Sequence, residues 1–141
     1  MDAADVRPGN KVFLPVSVPG AMFHIGDGHA AQGDGEVCGV ATEIPTRGTF
    51  TFDLIKANPI GTPRIESNEF IMAVGSARPM EDAARIAFYE LILWLEQDYG
   101  IDRLTGYQLC SQVARVRLAN MVDILYSVVA KFPKKYLPLG D

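Results

Sequence analysis

Hydrophobic and polar positions divide the chain into two halves of different period. In the first half, Val12, Leu14, Val16 and Val18 recur at every second position. That is the period of a strand, and Pro15 marks it as an edge strand or a bulge. Pro19-Gly20 ends it. Val37 to Ile44 is small and apolar, the pattern of a strand buried on both faces. Phe50, Phe52 and Leu54 alternate with Thr49, Thr51 and Asp53, which predicts a half-buried strand. Pro45 to Gly48 between these two predicts a turn. A second hairpin is predicted over Arg64–Glu66 and Glu69–Gly75, turning at Ser67-Asn68.

The second half has the period of a helix. Met80 to Tyr99 carries Ala84, Phe88, Leu91 and Leu95 on one stripe, with Glu81 and Asp82 in the first turn and Gly100 at the end. A shorter helix is predicted over Gly106–Val113, with Thr105 and Gln108 spaced as a capping box. Ile124 to Ala130 reads as a final strand before a basic, solvated tail of Lys131, Lys134 and Lys135. Strands, then helices, then a strand make the class α+β.

Composition narrows the class. The chain has 141 residues, 48% hydrophobic and 21% charged, which suits one folded domain and excludes a disordered chain. No apolar run approaches the roughly 20 residues of a membrane span, and no leader pattern opens the chain. Cys38 and Cys110 form no CxxC and suit a reducing compartment. No basic patch argues for nucleic acid.

The net charge of −4 has a location. No lysine or arginine lies between Lys11 and Arg47, whereas Asp27, Asp34, Glu36 and Glu43 do. The remaining 13 acids match all 13 bases, so the whole imbalance sits in this stretch. Clustered carboxylates need solvation, protonation or a cation.

Within that stretch runs His24-Ile-Gly-Asp27-Gly-His29-Ala-Ala-Gln32-Gly-Asp34-Gly-Glu36. It holds both histidines of the protein and three acids, interleaved with four glycines. Asp27 and His29 on an extended stretch face the same way. An Asp/His pair with further carboxylates is a ligand set for a zinc-like ion with a place left for water. The plainer alternatives are that each Gly-Asp-Gly is a turn, that His24 is a core histidine, and that Gln32 satisfies backbone groups. A calcium loop is a third reading, although His29 and Ala31 break the EF-hand pattern. Cys38, in an apolar strand pattern, reads as buried and inert.

The string Pro19-Gly-Ala-Met-Phe-His-Ile-Gly-Asp-Gly-His-Ala-Ala-Gln-Gly-Asp-Gly-Glu36-Val-Cys-Gly closely resembles the acetamidase/formamidase family. The long helix, the region Leu104–Cys110 and Lys131-Phe-Pro-Lys134 extend the likeness along the chain. The resemblance implies a β-rich, jelly-roll-like body with an added α+β portion. It also implies a cytoplasmic, oligomeric amidase using a divalent metal, zinc. Members are longer, and residues 1–141 resemble their C-terminal half as a single region. Met1-Asp2 resembles the end of a Gly-Gly-Asn-Met-Asp segment, which brings in Asp2 as a third metal ligand beside Asp27 and His29. A homo-oligomer, or a partner chain supplying the N-terminal half, is implied as well.

The expected chemistry is metal-assisted hydrolysis of formamide or acetamide to a carboxylate and ammonia. Glu36 is the expected general base, with Asp34 as the other carboxylate for that role. Gln32, His24 and Phe23 are the expected substrate contacts, with Met22 also closing the pocket. The competing expectations are a non-catalytic module binding a divalent ion, calcium included, and an inactive remnant acting only by association.

Overall fold

A computed structural model describes residues 2–56 and 58–138. Met1, Ala57 and the last three residues lie outside them. Five strands form one antiparallel sheet: β1 (Lys11–Phe13), β2 (Arg64–Glu66), β3 (Phe70–Ala77), β4 (Arg115–Asn120) and β5 (Tyr126–Pro133). Their order across the sheet is β1-β2-β3-β5-β4. Two helices, α1 (Met80–Tyr99) and α2 (Arg103–Val113), connect β3 to β4. The class is therefore α+β, with the expected long and short helices.

Alternation along β3 sets the two sides of the sheet. Ile71 and Ala73, with Ala130 and Phe132 of β5, face the helices and pack on Ala87, Leu91, Trp94, Leu95 and Cys110. Met72 and Val74, with Ile65, Ala119 and Val129, form the opposite core, covered by Ala3 and Val6. The helix stripe is offset from the expected one. Ala83 and Ala87 are fully buried, whereas Ala84 and Phe88 are half-buried. Two alanines let α1 lie directly on Gly75. A Cβ at Gly75 would stand 2.0 Å from the Ala83 carbonyl oxygen and 2.6 Å from the Ala87 nitrogen.

One ion pair crosses this layer. Arg64 Nε donates to Glu90 Oε1 at 2.8 Å, both side chains are buried, and the guanidinium also bonds Gln97. Two buried charges so matched are costly to separate.

Helix α2 begins three residues before the predicted start. Asp102 caps it, its carboxylate accepting from the Leu104 and Thr105 amides at 3.1 and 3.2 Å. The final strand runs to Pro133, so Lys131 lies inside the sheet, bonded to Asp5 at 2.6 Å, and Lys134 reaches Glu66. These lysines are partnered, not a solvated tail.

The first half departs most from its pattern. Of the strand expected over 12–18, only Lys11–Phe13 pairs. Residues 49–54 form no strand among the described residues, and Val37–Ile44 contributes a single bridge. Residues 14–56 thus form a long arm. Along it Val16, Val18, Met22, Ile25, Val37, Val40, Phe52 and Leu54 are each more than half exposed. Cys38 is exposed, not buried. The strand pattern is present in the sequence, but the neighbouring strands that would complete it are not among the described residues.

Gly75→Ala should cost about 3 kcal/mol of stability, because the obstructing atoms are helix backbone. Urea unfolding measures this. A variant within about 0.5 kcal/mol of wild type would contradict the direct helix-on-strand contact.

Candidate metal centre and active site

The arm makes one local turn back on itself. Residues 28–31 run antiparallel to 42–44 through Ala30 N–H to Thr42 O (2.9 Å), Thr42 N–H to Ala31 O (3.0 Å) and Ile44 N–H to Gly28 O (3.1 Å). His29 stands opposite Glu43 in this pair. Facing residues of an antiparallel pair project to the same side. Glu43 therefore meets the imidazole.

The glycine-rich loop between these rungs is tied to the end of β4. Gly35 N–H donates to Leu118 O at 2.9 Å, and Met121 N–H donates to Gly35 O at 2.9 Å. Gln32 Nε2 donates to Ala119 O at 3.3 Å, and Asn120 Nδ2 donates to Glu36 Oε2 at 3.2 Å. Arg117 Nε closes the set by donating to Asp34 Oδ1. Gly35 must be glycine here. Its φ is +85°, and a Cβ would press on Leu118 and Met121 at 3.2 Å.

This clasp fixes a constellation about one atom. His29 Nε2 lies 2.9 Å from Glu43 Oε1, 3.1 Å from Asp27 Oδ1 and 3.8 Å from Glu36 Oε1. The imidazole and the Glu36 carboxylate are buried, while Asp27 and Glu43 are half open to solvent. No lysine or arginine pairs with these three acids among the described residues. Asp27 and Glu36 have left-handed backbones, φ 59° and 45°, a conformation that costs a non-glycine residue on the order of 1 kcal/mol.

The other ring nitrogen is spoken for. Nδ1 lies 3.2 Å from Gln32 Oε1, which only accepts, so Nδ1 carries a proton and, in the neutral ring, Nε2 holds the lone pair. Nε2 is buried and has no hydrogen-bond partner among the described residues. One ligand atom each from Asp27, His29 and Glu36 falls within 4.8 Å of the others. A bare lone pair facing carboxylates is an arrangement that a divalent cation completes and that protein donors here do not. In the metal-free state the same surroundings act on a proton. Gln32 and the carboxylates of Asp27, Glu43 and Glu36 hold the imidazole pKa above its ordinary 6.5, against desolvation.

The other predicted site residues fall in different places. Asp34, exposed, is the partner of Arg117 and stands outside the imidazole group. Gln32 orients His29 and anchors it to β4. Asp2 is also outside the group; its carboxyl lies beside Asp123 and raises the pKa of that carboxyl. His24 is exposed on the arm. Phe23 stacks on Phe52 and Phe50, with ring centroids 4.9 and 5.7 Å apart. Cys110 is buried under the helices, its thiol pushed up to about 11.

Three residues carry site contacts without having been singled out for a role in the sequence. Glu43 was visible only as the fourth unmatched acid. Arg117 and Asn120 lie on a strand that the hydrophobic pattern does not announce.

Comparison with known proteins places the chain in a family. The sequence profile of the Acetamidase/Formamidase family matches residues 1–136. The chain belongs to that family. The crystal structure of an acetamidase from Yersinia enterocolitica superposes with a TM-score of 0.90 at 46% identity, over 99% of this chain and 42% of that one. An acetamidase from Bacillus halodurans gives a TM-score of 0.78 at 26% identity, over 96% of this chain and 46% of its own. A Schizosaccharomyces pombe protein named as a formamidase is 58% identical over 40 residues, 27% of this chain and 10% of its own. The chain spans less than half the length of these solved relatives.

A raised histidine pKa stabilises the fold below pH 6.5, and that contribution is lost as pH rises through the raised value. In the presence of chelator, the melting temperature of wild type should exceed that of His29→Gln most at acid pH. The margin should shrink toward alkaline pH. A margin that grows with pH would contradict the carboxylate surroundings.

Proposed function

We propose that this site hydrolyses short aliphatic amides, formamide and acetamide, with a divalent metal, zinc, held by Asp27, His29 and Glu36. The observation that carries the reading is the buried, unpartnered Nε2 of His29 facing carboxylates. The names of the relatives supply the substrate class. An imidazole at the centre favours zinc over calcium, which prefers oxygen ligands. When bound, the ion would polarise the amide carbonyl and lower the pKa of water toward about 7.

The protein groups divide the remaining work. Gln32 holds His29 in the tautomer that presents Nε2. Glu36 has one oxygen on Asn120 and the other toward the imidazole, which suits a ligand. The sequence puts Glu36 forward as general base; we place that role on Glu43 instead. Glu43 is half exposed, and its Oε1 also accepts the Ala41 amide at 3.2 Å, leaving Oε2 free toward solvent. There it takes a proton from water and returns it to the leaving amine. Asp34 acts through the loop it fixes to Arg117.

The arm is the second part of the proposal. Its exposed apolar side chains and unpaired backbone need cover. A polypeptide equivalent to the part of the Yersinia chain outside the match is the occupant we propose. The free cysteines suit the reducing cytoplasm for this assembly.

The chain co-expressed with that complementary polypeptide should release ammonia from formamide and acetamide, and chelation should abolish the release. Asp27→Asn should lower zinc affinity about 10–100-fold. Turnover indifferent to chelator, or zinc binding indifferent to Asp27, would contradict the metal reading. Expressed alone, the chain should self-associate in light scattering; a monodisperse monomer would contradict the need for cover.

A further inference from the structure

We propose that Asn120 is a positioning residue of the centre, acting on zinc through the Glu36 carboxylate. The inference rests on the metal reading above and goes beyond it to a residue of a distant strand.

Asn120 is 1% exposed, and both ends of its amide are committed. Nδ2 donates to Glu36 Oε2 at 3.2 Å. Oδ1 accepts the amides of Val122 and Asp123, each at 3.0 Å. The two backbone bonds fix which way round the amide lies, so the NH2 end is the one that meets Glu36. Glu36 needs such help. It is buried and has no lysine or arginine partner among the described residues. Its φ of 45° is one that the chain does not favour unaided. The Asn120 amide is the donor the structure gives this carboxylate, and with Oε2 held there, Oε1 stays toward His29 Nε2.

The strand is built to aim this side chain. The β4–β5 register shifts between Leu118 and Asn120, where Asn120 pairs with Ser127. A bulge turns a side chain that regular pairing would direct elsewhere. The residues on either side, Ala119 and Met121, bond Gln32 and Gly35 of the same loop. Orientation of a metal ligand by a hydrogen-bonded neighbour commonly carries 10–100-fold in metal affinity.

The test is a double-mutant cycle on zinc affinity, measured on the full chain by competition with a chromophoric chelator. Asn120→Thr is the informative change. Its hydroxyl still accepts from the Val122 or Asp123 amide, but it is too short to reach Glu36. Asn120→Ser reads the same contact if the threonine is not accommodated, and far-UV circular dichroism confirms folding. In the wild-type background either change should weaken zinc binding about 10–100-fold. In a Glu36→Ala background the same change should weaken it less than about 3-fold, because the carboxylate it acts on is gone. Equal losses in both backgrounds would show a merely structural role and overturn the proposal, as would no loss in either. A wild-type chain that takes up no zinc would overturn the metal reading and this assignment together, an outcome distinct from additive losses.

Discussion

Three carboxylates and one imidazole share a small volume, and among the described residues no lysine or arginine pairs with them. Such a grouping repels itself unless a cation joins it and unless the backbone that carries it is held from outside. Both requirements shape the structure. The four acids that make up the charge imbalance separate in space. Asp34 is neutralised by Arg117, while Asp27, Glu36 and Glu43 gather around His29 Nε2. One divalent ion would reduce the charge of the three from −3 to −1.

The holding comes from the sheet. Asp27 and Glu36 have left-handed backbones, and beyond the rungs at 28–31 the loop between them has no regular structure to fix it. The end of β4 supplies what the loop lacks, through Leu118, Ala119, Asn120 and Met121. Strand β4 is in turn fixed by β5, whose Val129, Ala130 and Phe132 belong to the two cores. Stability built where α1 lies on β3 and β5 is thus passed outward to a strained site. The same dependence explains why the glycine-rich loop sits beside a strand more than 80 positions away.

Local signals made the second half legible. The helix Met80–Tyr99 has the bounds its period and closing Gly100 predict, and the hairpin at Ser67-Asn68 turns where expected. The start of α2 was misplaced because Asp102, not Thr105, makes the cap. Strand β4 carries arginines and an asparagine whose partners lie far along the chain, so its pattern does not read as a buried strand. In the arm the two-residue period is real, but among the described residues only the rung between His29 and Glu43 pairs there. At the candidate site, the run His24–Glu36 drew attention to Asp27, His29 and Glu36, whose side chains the structure brings together. Glu43 and Asn120 were hidden because one depends on a rung of backbone pairing and the other on a bulge. Neither leaves a spacing signature.

X-ray absorption at the zinc edge, on the zinc-loaded chain, tests the central claim directly. The account predicts one imidazole nitrogen with carboxylate and water oxygens at about 2.0–2.2 Å, and no sulfur. A sulfur shell at about 2.3 Å would move the ion to a cysteine, and a shell without imidazole would remove His29 from the centre. Either result would contradict the site described.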